Sequence, residues 1–298
     1  MKRFSIFCIA LCLVAMTFSV QAQLLEETFD DSGSSATFDA VPTGDHSATF
    51  GFDYSTLTIT APGTPVDGTT IPEAPNTPTG ATATRGLATQ VNLTGTATSL
   101  SLFTADTFTD NFEVQVDVFY YHDNGSGSTE DAMVGLNHSG LFPIAFRQAT
   151  SDLTDQTDGY FLKAFGDVDV SGPDYYLLEG VNGIIDDASL PGLSWADGQE
   201  TDVPGRNFNV DLFNNAVTGY PYGATEPGGA FRWVWQTVKF QYVNSTLYLF
   251  INDTLIATYN DPDDTFTSGK VMLGHEDSFS GANTGNYMIF DNLIVEEI

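Results

Sequence analysis

The feature that most constrains this chain is a two-residue alternation of apolar and polar side chains, seen most cleanly in NFEVQVDVFYY over residues 111–121. Successive side chains of an extended strand point to opposite faces, so such a pattern specifies a sheet with one face buried. It predicts Phe112, Val114, Val116, Val118 and Tyr120 toward a core, and Glu113, Gln115, Asp117, Phe119 and Tyr121 on the other face. Related patterns occupy 24–29, 54–60, 87–93, 99–103, 131–137, 159–165 and 174–180, then 237–243, 246–252, 254–260, 270–275 and 287–297. Past the first 22 residues no long stretch carries apolar positions at helical spacing. Many short strands punctuated by Gly, Asn, Asp and Pro predict an all-β, two-sheet antiparallel sandwich. Asn244-Ser245 and Asn252-Asp253, each between apolar runs, predict tight hairpins. Segments 61–84 and 186–206 predict long surface loops.

The beginning of the chain reads differently. Lys2 and Arg3 precede an apolar run from Phe4 to Phe18, and Val20-Gln21-Ala22 supplies a small-x-small site. This predicts a cleaved secretory signal peptide over 1–22, too short to span a bilayer, and one domain over 23–298. The expected location is extracellular, or periplasmic in a Gram-negative bacterium. Cys8 and Cys12 are the only cysteines and both fall in the leader, so the domain must be held by burial without disulfides. Its 39 carboxylates face nine basic residues in the whole chain, a net charge of −30. Such a field repels phosphate backbones and anionic membrane surfaces, which excludes nucleic-acid and membrane-surface partners and favours cations.

The segment WQTVKFQYVNSTLYLFINDTLIATYNDPDDTFTSGKVMLGHED, followed by YMIFDNLIVEE, resembles the closing strands of concanavalin A-like (laminin G-like) jelly-roll domains. ETFDD at 27–31 is similar to their opening strand, which pairs beside the last one. GSTEDAMVGLNHSG (127–140) and DGYFLKAFGD (158–167) resemble secreted bacterial proteins of this fold with no assigned activity. The resemblance implies a jelly-roll sandwich over the mature chain. It also implies a structural calcium, with Asp291 in the final strand at the matching metal position.

Fold alone does not assign chemistry. The Glu-x-Asp-x-x-Glu motif of laminarinase-type hydrolases is missing from the sequence, as are a Gly-x-Ser-x-Gly elbow and any metal-protease histidine spacing. Glu113 and Asp117 share a face, but four residues separate them by about 13 Å, whereas glycosidases need about 5–9.5 Å. Asp167 and Asp169 flank glycines and read as turn residues. His275-Glu276-Asp277 reads as a polar loop at a strand end. Carbohydrate binding has the stronger physical case, because aromatic rings stack on sugar C–H faces while fixed polar groups take the hydroxyls. Asp117, Phe119, Tyr121, Trp195 and Trp233 are the candidate sugar-binding residues, with Trp235 sharing a face with Trp233. The expected function is a secreted non-catalytic module for extracellular or cell-wall polysaccharide, with calcium favoured by the surplus of oxygen ligands. A structural or adhesive envelope protein, and a glycan hydrolase or lyase with an atypical carboxylate site, are the alternatives.

Overall fold

The computed structural model describes residues 22–60, 66–122, 130–142, 158–165, 175–180, 183–185, 193–195, 233–261, 266–277 and 284–298. The leader, apart from Ala22, lies outside these residues, as do Asp167 and Asp169 and most of the acidic stretches 123–131 and 152–159. Among the described residues sixteen strands are formed in chain order. The first eight are β1 (Gln23–Glu27), β2 (Phe38–Pro42), β3 (His46–Asp53), β4 (Arg85–Val91), β5 (Thr98–Thr104), β6 (Phe112–Tyr121), β7 (Glu130–His138) and β8 (Tyr160–Phe165). There follow β9 (Tyr175–Glu179), β10 (Gly183–Ile185), β11 (Leu193–Trp195), β12 (Gln236–Val243), β13 (Thr246–Ile251), β14 (Thr254–Asn260), β15 (Lys270–Asp277) and β16 (Tyr287–Glu297).

All pairings are antiparallel and form two sheets. A nine-stranded sheet runs β11-β14-β13-β12-β6-β16-β4-β3, with β1 also on β16; a seven-stranded sheet runs β10-β9-β8-β7-β15-β5-β2. The opening strand pairs beside the closing one as expected, Leu25 facing Val295, but it ends at Glu27, so 28–31 of the expected 27–31 stretch lie beyond it. Both predicted hairpins form. Asn244 and Ser245 have φ of 49° and 62°, and Asn252 and Asp253 have 49° and 60°, the positive pair that matches a two-residue turn to the twist of its strands.

The alternation in β6 does what the sequence implies. Phe112, Val114, Val116, Val118 and Tyr120 join the main core between the sheets, together with Val238, Phe240, Leu249, Leu273 and Phe290. Carboxylates that intrude there are each met by a tyrosine hydroxyl: Tyr120 donates to Glu130 (2.9 Å), Tyr259 to Glu179 (3.0 Å) and Tyr160 to Asp261 (2.6 Å). A buried polar group without such a partner would cost about 1–3 kcal/mol.

Two expectations need correction. Segment 54–60 is not a sheet strand: Tyr54–Thr56 forms a 3-10 turn, and Thr58 makes only an isolated bridge to Thr70. Its alternating apolar residues serve a second, smaller core described below. The sequence 275–277 is not a loop either, since β15 continues through Asp277.

Candidate functional site

The outer face of the nine-stranded sheet carries the candidate residues, but it is not open. Tyr54, Ile59, Ile71 and Ala74 pack onto Phe119, Tyr121, Trp233, Trp235, Ala88 and Ile289. The segment from Tyr54 to Thr77, described except for 61–65, thus forms a strap over the sheet. It is tied down by hydrogen bonds from side chains below: Tyr121 Oη donates to Thr58 O (2.9 Å) and Trp235 Nε1 to Pro72 O (2.8 Å). Phe119 and Tyr121 are 0% and 7% exposed, so they are the floor of this layer and not an open sugar platform. Their apolar rings needed cover, and the strap supplies it.

Beneath the strap lies a pair of carboxyls. Asp117 on β6 and Asp291 on β16 stand directly opposite each other in register, next to a bulge at which Asn292 takes φ 52°. Like charges in that position repel. Asp117 accepts four hydrogen bonds: from Asn76 N (3.0 Å) and Nδ2 (2.7 Å), Thr237 Oγ1 (2.7 Å) and Asn292 Nδ2 (2.9 Å). Burial raises its pKa even so. Asp291 meets the Tyr54 hydroxyl (3.0 Å) and the Asn292 N–H (2.9 Å). Burial, with the Asp117 and Asp30 charges adding to it, pushes the Asp291 carboxyl up to about 8.

The hydrogen-bond inventory agrees with a protonated Asp291. Tyr54 Oη lies 3.0 Å from both Asp291 Oδ2 and Ala83 O, and it accepts from Ala74 N (3.3 Å). One hydroxyl proton cannot serve two acceptors. If Asp291 donates to Tyr54 and Tyr54 donates to Ala83 O, every group is paired. Asp291, the expected metal position, meets Tyr54 through Oδ2 and Asn292 N–H through Oδ1, and so ties the strap to β16. Among the described residues no three His, Cys, Asp or Glu side chains converge on a metal position.

Where the strap meets the start of β12 it leaves a cavity of about 380 Å³, lined by Ile59, Val66, Thr69, Thr70, Pro72, Glu73 and Pro75 with Trp233, Val234 and Trp235. Trp233 has φ 62°, a conformation that costs a bulky residue free energy and recurs at functional sites. It is held there by its N–H to Tyr120 O (2.9 Å) and its indole to His122 O (3.2 Å). Trp235 is wedged between Tyr54 and Phe119, ring centroids 5.2 Å away in each case. Trp233 and Trp235 are themselves 6% and 7% exposed and back the cavity, while prolines, threonine hydroxyls and one carboxylate complete a lining of the mixed kind found in small-ligand pockets.

The other sheet buries a different acidic cluster. On its outer face Lys163 Nζ lies 3.0 Å from Asp131 Oδ2 and 3.2 Å from Glu276 Oε2. Asp131 and Glu276 are themselves cross-strand partners. Burial raises the Asp131 carboxyl, with Lys163 opposing. Burial would lower the Lys163 ammonium, but the two carboxylates more than reverse that. These carboxylates are near enough for glycosidase chemistry, yet they are 1% and 0% exposed and share a lysine. Nothing among the described residues opens a substrate path to them. The neighbouring His275 points the other way, to Thr89, and burial lowers it to about 3.

Of the sequence candidates, the structure places Trp233 on the cavity, puts Phe119, Tyr121 and Asp117 under the strap, and sets Trp195 on β11 opposite Ala257 at the far edge of the sheet. Residues 59–75, read as strand and loop, supply the cavity's other wall. A signal for this was present in Ile59 and Ile71: large aliphatics flanking a Pro- and Thr-rich segment need burial somewhere.

No protein-family model matches the chain, and no curated protein sequence does. Solved structures do match in shape. A Bacillus subtilis protein of unknown function with a galectin-like fold superposes with a TM-score of 0.50 at 12% identity, covering 93% of this chain and 96% of that one. The carbohydrate recognition domain of Emp47p gives 0.41 at 12% identity over 76% and 94%. A legume lectin-like domain from Entamoeba histolytica gives 0.40 at 14% over 71% and 84%. The chain has the concanavalin A-like jelly-roll fold in its galectin-like form.

Proposed function

We propose that this protein is a carbohydrate-binding module without catalytic activity, and that its ligand enters the cavity between the strap and the start of β12. The observation that carries this reading is the cavity of about 380 Å³ with Trp233 and Trp235 fixed in its wall. An indole held rigid before the ligand arrives loses little entropy on binding, and Glu73, Thr69 and Thr70 are at hand for hydroxyls. Asp117, Phe119 and Tyr121 belong to the site as its support. Proteins of similar shape include carbohydrate recognition domains and a carbohydrate-binding module. Export through cleavage after Ala22 is part of the proposal, and N-terminal sequencing of the released protein tests it.

Calcium enters the proposal on the strength of charge, with Asp291 in the final strand as its candidate ligand. A thermal midpoint that does not move between calcium and chelator removes it. The binding test uses immobilised and soluble polysaccharides with a reducing-sugar assay in parallel. We expect retention without sugar release, weakened at least about tenfold, or about 1.4 kcal/mol, by Trp233→Ala. Release of reducing ends would overturn the non-catalytic reading, and a folded Trp233→Ala protein that binds normally would move the site.

A further inference from the structure

We propose that this cavity selects glycans bearing a free amino group, so that its ligand is an amino sugar with a protonated amine; the inference rests on the carbohydrate-binding reading above. Of the ten described residues lining the cavity only Glu73 carries a charge, and it is exposed. No lysine, arginine or histidine is among these ten described residues. The lysines of the described residues are committed elsewhere: Lys239 to Glu113 and Asp253, Lys270 to Asp39, and Lys163 to the seven-stranded sheet. Among the described lining residues a uronate or sulfated sugar would meet the Glu73 carboxylate with no cation beside it.

An ammonium is favoured by the carboxylate of Glu73, which pairs with it. The prolines, Ile59 and Val66 meanwhile suit the apolar side of a pyranose. An acetylated amine keeps the shape of the sugar and loses the charge, so comparing the two forms isolates this term.

The whole chain carries a net charge of −30, which attracts any polycation without specificity. The local contact is separable from that field, because replacing one carboxylate among 39 barely alters the field. The experiment is isothermal titration of the purified protein at physiological salt with glucosamine oligomers, N-acetylglucosamine oligomers of equal length and oligogalacturonate. The same ligands are then run on Glu73→Gln and Glu73→Lys. Glu73 is exposed, so both variants fold.

We expect the amino oligomer to bind about tenfold tighter than the acetylated one, the uronate not to bind, and Glu73→Gln to abolish the preference. Glu73→Lys should shift it toward the uronate. Equal affinity for both amino forms, or a preference unchanged in Glu73→Gln, overturns this inference while leaving the carbohydrate reading in place. If no glycan binds in a manner sensitive to Trp233→Ala, both fall.

Discussion

The two sheets bury the same awkward motif on their outer faces and resolve it by different means. In the nine-stranded sheet Asp117 faces Asp291 across β6 and β16, and in the seven-stranded sheet Asp131 faces Glu276 across β7 and β15. The second pair is bridged by a cation, Lys163. The first has no cation among the described residues: Asp117 is surrounded by amide and hydroxyl donors, and burial pushes the Asp291 carboxyl up to about 8, which favours its neutral form at neutral pH. A lysine neutralises charge at any pH below its own high pKa. A proton does so only while the pH permits, but it needs no long side chain and leaves room for the strap to lie flat. The two regions therefore have equal burial and unequal sensitivity to pH.

Replacing Lys163 with Met should have the largest effect. It strands two carboxylates with no cation, and removing one partner of a buried ion cluster costs about 3–5 kcal/mol. Denaturant unfolding measures it, and a loss below about 1 kcal/mol would mean that the lysine is dispensable. Asp117→Ala comes next, because it leaves the donors of Asn76, Thr237 and Asn292 unpaired beneath the strap. We expect a loss of about 2 kcal/mol, with faster amide exchange confined to the strap. Uniform destabilisation would break the link between Asp117 and the strap.

Asp291→Asn should be smallest at low pH and should change sign with pH. The folded state keeps a proton up to about pH 8 that the unfolded chain releases near its ordinary value of about 4. The stabilising contribution of the protonated form is thus fully present below about pH 4, declines as the pH rises, and is gone above about pH 8. Asparagine mimics the neutral acid. The variant should match the parent within about 1 kcal/mol at pH 4 and exceed it at pH 9, flattening the pH profile of unfolding. A profile identical to the parent's would show that Asp291 is ionised in the fold.

The strands were largely legible because burial on one face imposes a period of two on residues such as Phe112 to Tyr120, and a register slip would turn that whole set outward. The turns were legible because only particular residues tolerate paired positive φ, as at Asn244-Ser245. The site was legible only in part. Alternation assigned Asp117, Phe119 and Tyr121 to the outer face correctly, but it carries no information on what covers that face. The cover comes from residues 40 or more positions upstream through single contacts such as Asn76 to Asp117, and such pairings leave no periodic trace. Ile59 looked like a strand residue because a strap, like a strand, is extended and buries alternate side chains. Asp131 and Glu276 escaped for a related reason: each is unremarkable alone, and only strand pairing brings them together around Lys163.

The position of β16 has a consequence for how the molecule is made. This strand pairs with β6 along one edge and with both β4 and β1 along the other, so it joins two halves of the nine-stranded sheet that no other strand pairing among the described residues links. Residues 112 and 297 must find each other before that sheet exists, a closure that is slow for a chain dominated by distant contacts. Until it happens, β6 and β4 present bare edges able to recruit strands from other copies. A chain cut before Tyr287 should therefore aggregate rather than yield a smaller stable domain, and the steps that guard its assembly must act until the last strand has docked.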